Sequence, residues 1–366
     1  MPTISQVTAH SNLNPAPTGS HSKVFLWGKS MAGAPSLISF PVRRGERQLV
    51  APARPTPYGF KMLSDIDDQD VLRFYRSGIF FYRGNAPRAG LDPVKVIRSA
   101  LAEALVHFHP LAGRLRELQP TRKLVVECTG EGVVFVEADA DVRMDDLGDS
   151  LAPPVPCYDK LLCEPESPTA VVVDRPLIYF QVTRLRCGGF IFGFQICHCM
   201  ADGTGIVQFL TALTEFARGV PGAPTLCRRP FGYALQLLLE AKARASQEGY
   251  VQSVASFNAA RRRPPFPKAR TYLISDVTQA GLLAVDFGWG RPLYGGPATI
   301  MLATFHLEGR NEAGDAGILV PMRLPAPAME GLKQQVRKEL TAYGAIENDG
   351  DKINSNLVPG PVLAKL

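Results

Sequence analysis

His198 is the residue best placed by the sequence to do chemistry. It follows the apolar run Phe-Ile-Phe-Gly-Phe-Gln-Ile-Cys at 190–197, and Asp202 and Gly203 come four and five positions later. A continuous apolar run of this length predicts a strand buried on both faces. A histidine at the end of such a strand is held rigidly and can still face a cleft. There it can take a proton from a substrate near neutral pH.

The spacing H-x-x-x-D alone leaves two other interpretations open. His198 could be a structural residue whose ring nitrogens form hydrogen bonds with neighbouring groups. This is the simpler interpretation when only the histidine and the aspartate of the motif are considered. It could also be a metal ligand. The remaining histidines are His10, His21, His107, His109 and His306. None of them forms a convincing ligand set with His198, so the sequence predicts no metal site.

A second unusual stretch is Asp286-Phe287-Gly288-Trp289-Gly290. Two glycines flank one of only two tryptophans in the chain. The local interpretation is a tight loop whose tryptophan packs on a core. Asp286 stands between two apolar residues, so it needs a partner if it is buried. We expect a local ion pair.

Length and charge exclude several classes of protein. A chain of 366 residues is long enough for two domains. The net charge of +6 is scattered, which suits anionic small molecules better than a nucleic-acid groove. The sequence contains no run of 18 consecutive apolar residues, so it predicts no membrane span. Seven cysteines, without a zinc-type spacing, predict reduced thiols in an intracellular protein.

The apolar periodicity predicts both strands and helices. Asp92 and Pro93 are typical of a helix start, and Pro110 of its end. Two β-hairpins are expected, one through Thr129–Gly132 and one through Cys187–Gly189. The predicted strands are 123–128, 133–138, 177–185, 190–197, 270–274 and 318–322, and the predicted helices are 92–108, 203–217, 231–244 and 326–340. This mixture, without strict alternation, predicts an α/β class with mixed sheets.

The two motifs in this order allow a family assignment. His198–Gly203 and Asp286–Gly290 resemble the H-x-x-x-D-G and D-F-G-W-G signatures of the plant BAHD acyltransferases. The supporting stretches are 49–57, 63–68, 110–115, 294–297 and 325–329. The similarity runs with gaps from residue 40 to 340. It is strongest to the alcohol acyltransferase branch, which includes benzyl alcohol O-benzoyltransferases and methanol O-anthraniloyltransferases.

The resemblance implies a fold and a reaction. It implies a chloramphenicol-acetyltransferase-like architecture of two domains, with no bound cofactor and with acyl-CoA as co-substrate. His198 would take the proton of a small alcohol, which then attacks the thioester, benzoyl-CoA or a similar donor. Asp202 would pair with an arginine. Together with Gly203, it would hold the catalytic loop in position. Residues Asp286–Gly290 would be structural and set back from the reacting atoms.

The chain departs from the family after Arg218. Gly222–Thr225 runs almost directly into Leu226–Leu235, so a block that opens the second domain is missing. The arginine that pairs with the motif aspartate comes from that block, so we expect Asp202 to lack it. We therefore predict a disordered extension at 1–39, an N-terminal domain at 40–220, an incomplete second domain at 221–342 and a loose tail at 343–366. The alternative is an inactive paralogue, or a splice or gene-model variant.

The resemblance also implies a cytoplasmic monomer. The final residues Ala364-Lys365-Leu366 approximate the S-K-L address of peroxisomes. A peroxisomal location is therefore the alternative.

Overall fold

The computed structural model describes residues 39–147, 157–165, 172–219, 273–299, 303–310, 316–322 and 326–342, the strand Lys23–Trp27, and positions 151, 153, 155, 253, 256, 257 and 260. The strands are β1 (Lys23–Trp27), β2 (Val42–Arg44), β3 (Gln48–Val50), β4 (Phe60–Met62), β5 (Tyr75–Tyr82), β6 (Arg114–Leu118), β7 (Lys123–Glu127), β8 (Val133–Ala140), β9 (Ile178–Leu185), β10 (Phe190–Cys197), β11 (Leu273–Asp276), β12 (Tyr294–Pro297), β13 (Ala303–Arg310) and β14 (Ala316–Pro321). The helices are α1 (Pro93–His107), α2 (Tyr158–Leu161), α3 (Gly203–Ala217) and α4 (Ala326–Ala342).

The described strands form three sheets, and the predicted mixed α/β class is confirmed. The largest has the order β12-β5-β10-β9-β8-β2, with β3 also paired to β8. A second sheet has the order β4-β7-β6, and a third the order β1-β14-β13-β11. The pairs β8–β9, β1–β14 and β11–β13 are parallel, and the other pairs are antiparallel.

Strand β10 lies at the centre of the largest sheet. It pairs antiparallel with β5 on one side and β9 on the other, and all eight of its residues are buried. Phe190, Phe192 and Phe194 belong to the same core cluster as the apolar faces of α1 and α3. Ile191 belongs to a separate cluster on the other side of the sheet, with Leu161. The predicted hairpin of β9 and β10 is confirmed.

Helices α1 and α3 were both predicted, and the structure packs their apolar faces on one side of this sheet. Asp92 caps α1 by accepting a hydrogen bond of 3.1 Å from the backbone N–H of Val94. Both carboxylate oxygens of Asp92 also accept hydrogen bonds from Arg184 on β9, at 2.9 and 2.8 Å. The start of α1 is thereby tied to the sheet, and this bond to the arginine lowers the pKa of Asp92.

The predicted hairpin through Thr129–Gly132 is wrong. Its two strands exist, but β7 pairs with β4 and β6, whereas β8 pairs with β2, β3 and β9. The glycines carry the chain from one sheet into the other. Gly132 has φ +99°, and a Cβ atom there would lie 2.3 Å from the backbone oxygen of Val50. Only glycine allows this approach.

The segment that carries Asp286–Gly290 adds a strand to the largest sheet. Strand β12 pairs antiparallel with β5, opposite residues 78–81. Residues from the second predicted domain thus complete a sheet of the first, and the predicted domain bounds stay a prediction. This is a long-range strand pairing that the local pattern of 294–297 does not specify.

Within the predicted extension at 1–39, the structure describes residue 39 and one strand. Strand β1 pairs in parallel with β14 over five residues. The predicted strands at 270–274 and 318–322 and the helix at 326–340 correspond to β11, β14 and α4 with shifted bounds. The predicted helix at 231–244 and the loose tail at 343–366 lie outside the described residues. Among the helices that are described, none has the length and apolar character needed to cross a membrane.

We predict that Phe192→Ala destabilises the fold strongly. The Phe192 ring is fully buried, and its centroid lies 5.0 Å from that of Phe287 and 5.4 Å from that of Phe180. Truncation should leave a cavity and lower the free energy of unfolding by about 3–5 kcal/mol, measured by urea denaturation. The matched control is Phe60→Ala, at a side chain that is 61% exposed, with an expected change within about 0.5 kcal/mol. Equal losses in the two variants would contradict the assignment of β10 as the core.

Candidate active site

The backbone of β5 holds His198 at the end of β10. The His198 N–H donates to the carbonyl oxygen of Phe74 at 2.8 Å. The preceding N–H, of Cys197, donates to the oxygen of Leu177 at 2.9 Å, and Met200 closes the turn onto the oxygen of Cys197 at 2.9 Å. The turn is thus clamped between the residues that flank β5 and β9.

The imidazole of His198 is half-buried, and one of its two ring nitrogens is enclosed by the protein. Its centroid lies 5.2 Å from that of the Phe74 ring, with the planes inclined by 50°. The Nδ1 atom is buried and has no hydrogen-bond partner among the described residues. This differs from a structural histidine with both nitrogens satisfied. Because Nδ1 is buried, Nε2 is the ring nitrogen through which a substrate can exchange a proton.

Two cysteines flank His198 and are buried. The sulfur atoms of Cys197 and Cys199 lie 3.1 Å apart. The contact with Cys199, together with burial, raises the pKa of the Cys197 thiol. A protonated, buried thiol is a poor nucleophile. Within the described part of the chain, no three His, Cys, Asp or Glu side chains are grouped as metal ligands.

Asp202 caps α3. Its Oδ1 atom accepts a hydrogen bond of 2.8 Å from the N–H of Gly205, and its carbonyl oxygen accepts one of 3.0 Å from Ile206. The side chain is exposed and makes no ion pair with any described residue. The cap fixes the start of the helix four residues after His198.

Gly203 begins α3 and contacts the C-terminal part of the chain. A Cβ atom at Gly203 would lie 3.1 Å from Cγ1 of Val277, which follows β11 directly. The predicted motif residues Asp202 and Gly203 therefore lie at the junction between the histidine turn, α3 and the end of β11.

A buried ion-pair cluster is centred on Arg73, the residue directly before Phe74. No prediction from the sequence included it. Arg73 donates to Asp68 at 3.0 Å, to Glu117 at 2.6 Å and to the backbone oxygen of Arg122 at 2.7 Å. Both Arg73 and Asp68 are buried. Because Arg73 is the neighbour of Phe74, this cluster fixes the backbone that receives the His198 N–H. The acidic run at 65–70 was the available signal.

The Asp286–Gly290 loop is tight and packed, as predicted. Asp286 Oδ1 accepts the N–H groups of Gly288 and Gly290 at 2.7 and 2.9 Å. These backbone hydrogen bonds replace the expected ion pair, which no described residue supplies. Trp289 is buried against Phe190, with ring centroids 5.3 Å apart. Gly288 has φ +98°, and a Cβ atom there would collide with Arg88.

This loop and His198 lie at opposite ends of β10. The ring of Phe287 packs on Phe192 and Phe190, and six strand residues, about 20 Å, separate Phe192 from His198. Helix α3 spans the same distance. It begins beside Asp202 and ends at Arg218, whose guanidinium donates to the backbone oxygen of Asp286. The structure thus does not bring the two predicted motifs together.

Comparison with known proteins identifies the family. The Transferase family model matches residues 40–229 and 222–339. Benzyl alcohol O-benzoyltransferase of Petunia hybrida is 35% identical, over 86% of this chain and 96% of that protein. Acyl transferase 1 of Oryza sativa subsp. japonica is 44% identical, over 63% of this chain and 53% of that protein.

The alignments also contain the predicted gap. The alignment with the Petunia protein extends over 447 residues. Since 86% of 366 residues is about 315, about 130 aligned positions have no residue in this chain. The two matched segments of the family model meet at 222–229, where the sequence analysis located the missing block.

Solved structures show the same fold. Vinorine synthase aligns with a TM-score of 0.53 at 15% identity, over 75% of this chain and 93% of that one. TRI101 of F. sporotrichioides aligns with a TM-score of 0.50 at 13% identity, over 75% of this chain and 97% of that one. With the family model matching most of residues 40–339, this chain belongs to the Transferase family, the BAHD acyltransferases.

Proposed function

We propose that this chain transfers an acyl group from an acyl-CoA thioester to the hydroxyl group of a small alcohol, with His198 as the general base. The observation that carries the proposal is the half-buried imidazole of His198, whose buried Nδ1 leaves Nε2 to receive the proton. The names of the relatives, benzyl alcohol O-benzoyltransferases and alcohol acyltransferases, support an alcohol as the acceptor.

The proposed reaction needs one base and no covalent enzyme intermediate. Nε2 of His198 takes the hydroxyl proton as the alcohol oxygen attacks the thioester carbonyl carbon. The tetrahedral oxyanion collapses, the carbon–sulfur bond breaks, and the coenzyme A thiolate takes the proton back from His198. The products are one ester and one free thiol. This scheme agrees with the protonated state of Cys197, which is not used as a nucleophile.

The acyl donor is proposed from chemistry and resemblance. The structure of TRI101 bears the description of a complex with coenzyme A and T-2. A net charge of +6 suits a substrate that carries several phosphates. We propose benzoyl-CoA or a similar donor as co-substrate, with no bound cofactor. A cytoplasmic monomer, or a peroxisomal protein, stays a prediction, and Ala364-Lys365-Leu366 lies outside the described residues.

Asp202 and Gly203 are proposed as positioning residues. The Asp202 carboxylate caps α3, and the Gly203 Cα atom lies close to Val277. Both fix where the chain leaves the histidine turn. The residues Asp286, Phe287, Gly288, Trp289 and Gly290 are proposed to act on the fold alone, because about 20 Å of strand separates them from His198.

The gap at 222–229 favours a second candidate function. A chain that lacks about 130 aligned positions of its relative could bind coenzyme A without turning it over. The two candidates differ in one measurement. Thermal stabilisation by coenzyme A without ester formation would support the binding protein, because a ligand of the native state raises its stability by mass action.

We predict that His198→Ala lowers ester formation from benzoyl-CoA and benzyl alcohol by about a hundredfold to ten-thousandfold, the usual contribution of a general base. The measurement is the rate of benzyl benzoate formation by mass spectrometry. The matched control is His107→Ala, because His107 is exposed at the end of α1 and stacks only on Phe216. Its rate should equal that of the wild type. Unchanged ester formation by the His198 variant would contradict the proposed base.

We predict that Asp202→Asn keeps most of the activity whereas Asp202→Ala loses it. Asparagine caps a helix about as well as aspartate, whereas alanine costs about 1 kcal/mol. The loss should appear mainly in kcat, since the cap acts through the position of His198. The free energy of unfolding of both variants is measured beside kcat and KM. If asparagine is as inactive as alanine, the negative charge of Asp202, rather than its cap, is required.

A further inference from the structure

Arg76 lies on the strand that holds His198. It is the second residue of β5 and stands opposite Ile196 of β10, two residues before His198. Phe74, two residues before Arg76, supplies the backbone oxygen and the ring that contact His198. Two residues of strand correspond to about 7 Å. Phe74 lies in the bend directly before β5, so the short distance along the chain places Arg76 near the histidine turn.

A second set of contacts connects Arg76 with the residues that follow His198. The Arg76 guanidinium carbon lies 4.7 Å from the centroid of the Phe305 ring. Phe305 stands opposite Ser275 in the pairing of β13 with β11, and Val277 at the end of β11 contacts Gly203. The guanidinium therefore lies between β5 and β13, and the strand β11 beside β13 leads to the beginning of α3.

The Arg76 guanidinium has no anionic partner among the described residues. It is half-buried, and burial lowers its pKa. Other arginines of this part of the fold differ. Arg73 faces Asp68 and Glu117, and Arg184 faces Asp92. A half-buried cation without a counter-charge is costly. Stacking on Phe305 covers a face of the group and leaves its in-plane N–H donors to a ligand.

We propose that Arg76 binds a carboxylate carried by a substrate, so that this acyltransferase prefers an acceptor alcohol or an acyl group with a carboxylate. The guanidinium fork matches the two oxygens of a carboxylate. The phosphates of coenzyme A are separated from the thioester by the whole pantetheine arm, which is much longer than two strand residues. The group that reaches Arg76 therefore belongs to the acceptor or to the acyl chain. This inference rests on the proposed function.

The test compares matched substrates in two arms. In the acceptor arm, benzoyl-CoA is given with 4-(hydroxymethyl)benzoate or with benzyl alcohol. In the donor arm, benzyl alcohol is given with succinyl-CoA or with butyryl-CoA. The quantity is the ratio of kcat/KM for the carboxylate substrate to that for the neutral one. It is measured for the wild type, Arg76→Leu, Arg76→Lys and the control Arg43→Leu, an exposed arginine on β2.

We expect Arg76→Leu to lower this ratio in one arm by about tenfold to a hundredfold, the effect of losing a charge-assisted hydrogen bond. The arm that responds identifies whether the carboxylate belongs to the acceptor or to the donor. Arg76→Lys, which keeps the charge but not the fork, should fall between, and Arg43→Leu should match the wild type. Equal ratios for the wild type and Arg76→Leu in both arms would overturn the inference. Turnover of the neutral substrates would still support the proposed function in that case.

Thermal stabilisation by 4-(hydroxymethyl)benzoate and by succinyl-CoA distinguishes a failure of the carboxylate site from a failure of the proposed function. If no substrate is turned over, but either compound raises the Tm of the wild type and not of Arg76→Leu, the carboxylate site stands and the proposed function falls. If neither compound stabilises the wild type and no turnover occurs, both are overturned. Should Arg76→Leu fail to fold, the same comparison is made with Arg76→Lys and Arg76→Gln.

Discussion

Burial of β10 on both faces is the constraint on which the rest of this structure depends. The strand pairs with β5 over eight residues and with β9 over seven, and its aromatic residues fill the core beneath α1 and α3. A shift of the register by one residue would move its phenylalanines from the core beneath α1 and α3 to the opposite face, which is already packed around Ile191 and Leu161. The position of the turn that follows it is therefore fixed, and with it the position of His198.

The two sequence motifs are connected through this strand and through α3. The Asp286–Gly290 loop packs on the phenylalanines at one end of β10, and the His198 turn lies at the other end. Helix α3 joins them, with Asp202 at its beginning and Arg218 bound to the loop at its end. The described hydrogen bonds that hold the histidine turn and its flanks come from residues 68–205, which precede the gap at 222–229. The histidine turn is thus held by residues that are outside the missing block.

Local patterns were enough to predict the parts of the fold that are specified by nearby residues. The cap at Asp92, the helices α1 and α3 and the hairpin of β9 and β10 all depend on spacing within about 20 residues. Long-range pairings could not be read in this way. Strands β7 and β8 look like a hairpin, but β8 pairs in parallel with β9, far along the chain. Likewise, the Arg73 cluster depends on Glu117, 44 residues away. The stacking of Arg76 on Phe305 joins residues that are 229 positions apart, and its guanidinium has no anionic partner in the part of the chain that the structure describes.

The proposed acyl transfer requires that the residues on the two sides of the gap form a working site without the missing block. It is tested most directly by the release of free coenzyme A from benzoyl-CoA by the full chain, with and without benzyl alcohol. We expect release that requires the alcohol, exceeds the rate in buffer and saturates with both substrates. A chain that melts cooperatively, and is therefore folded, but releases no coenzyme A in the presence of the alcohol would contradict it.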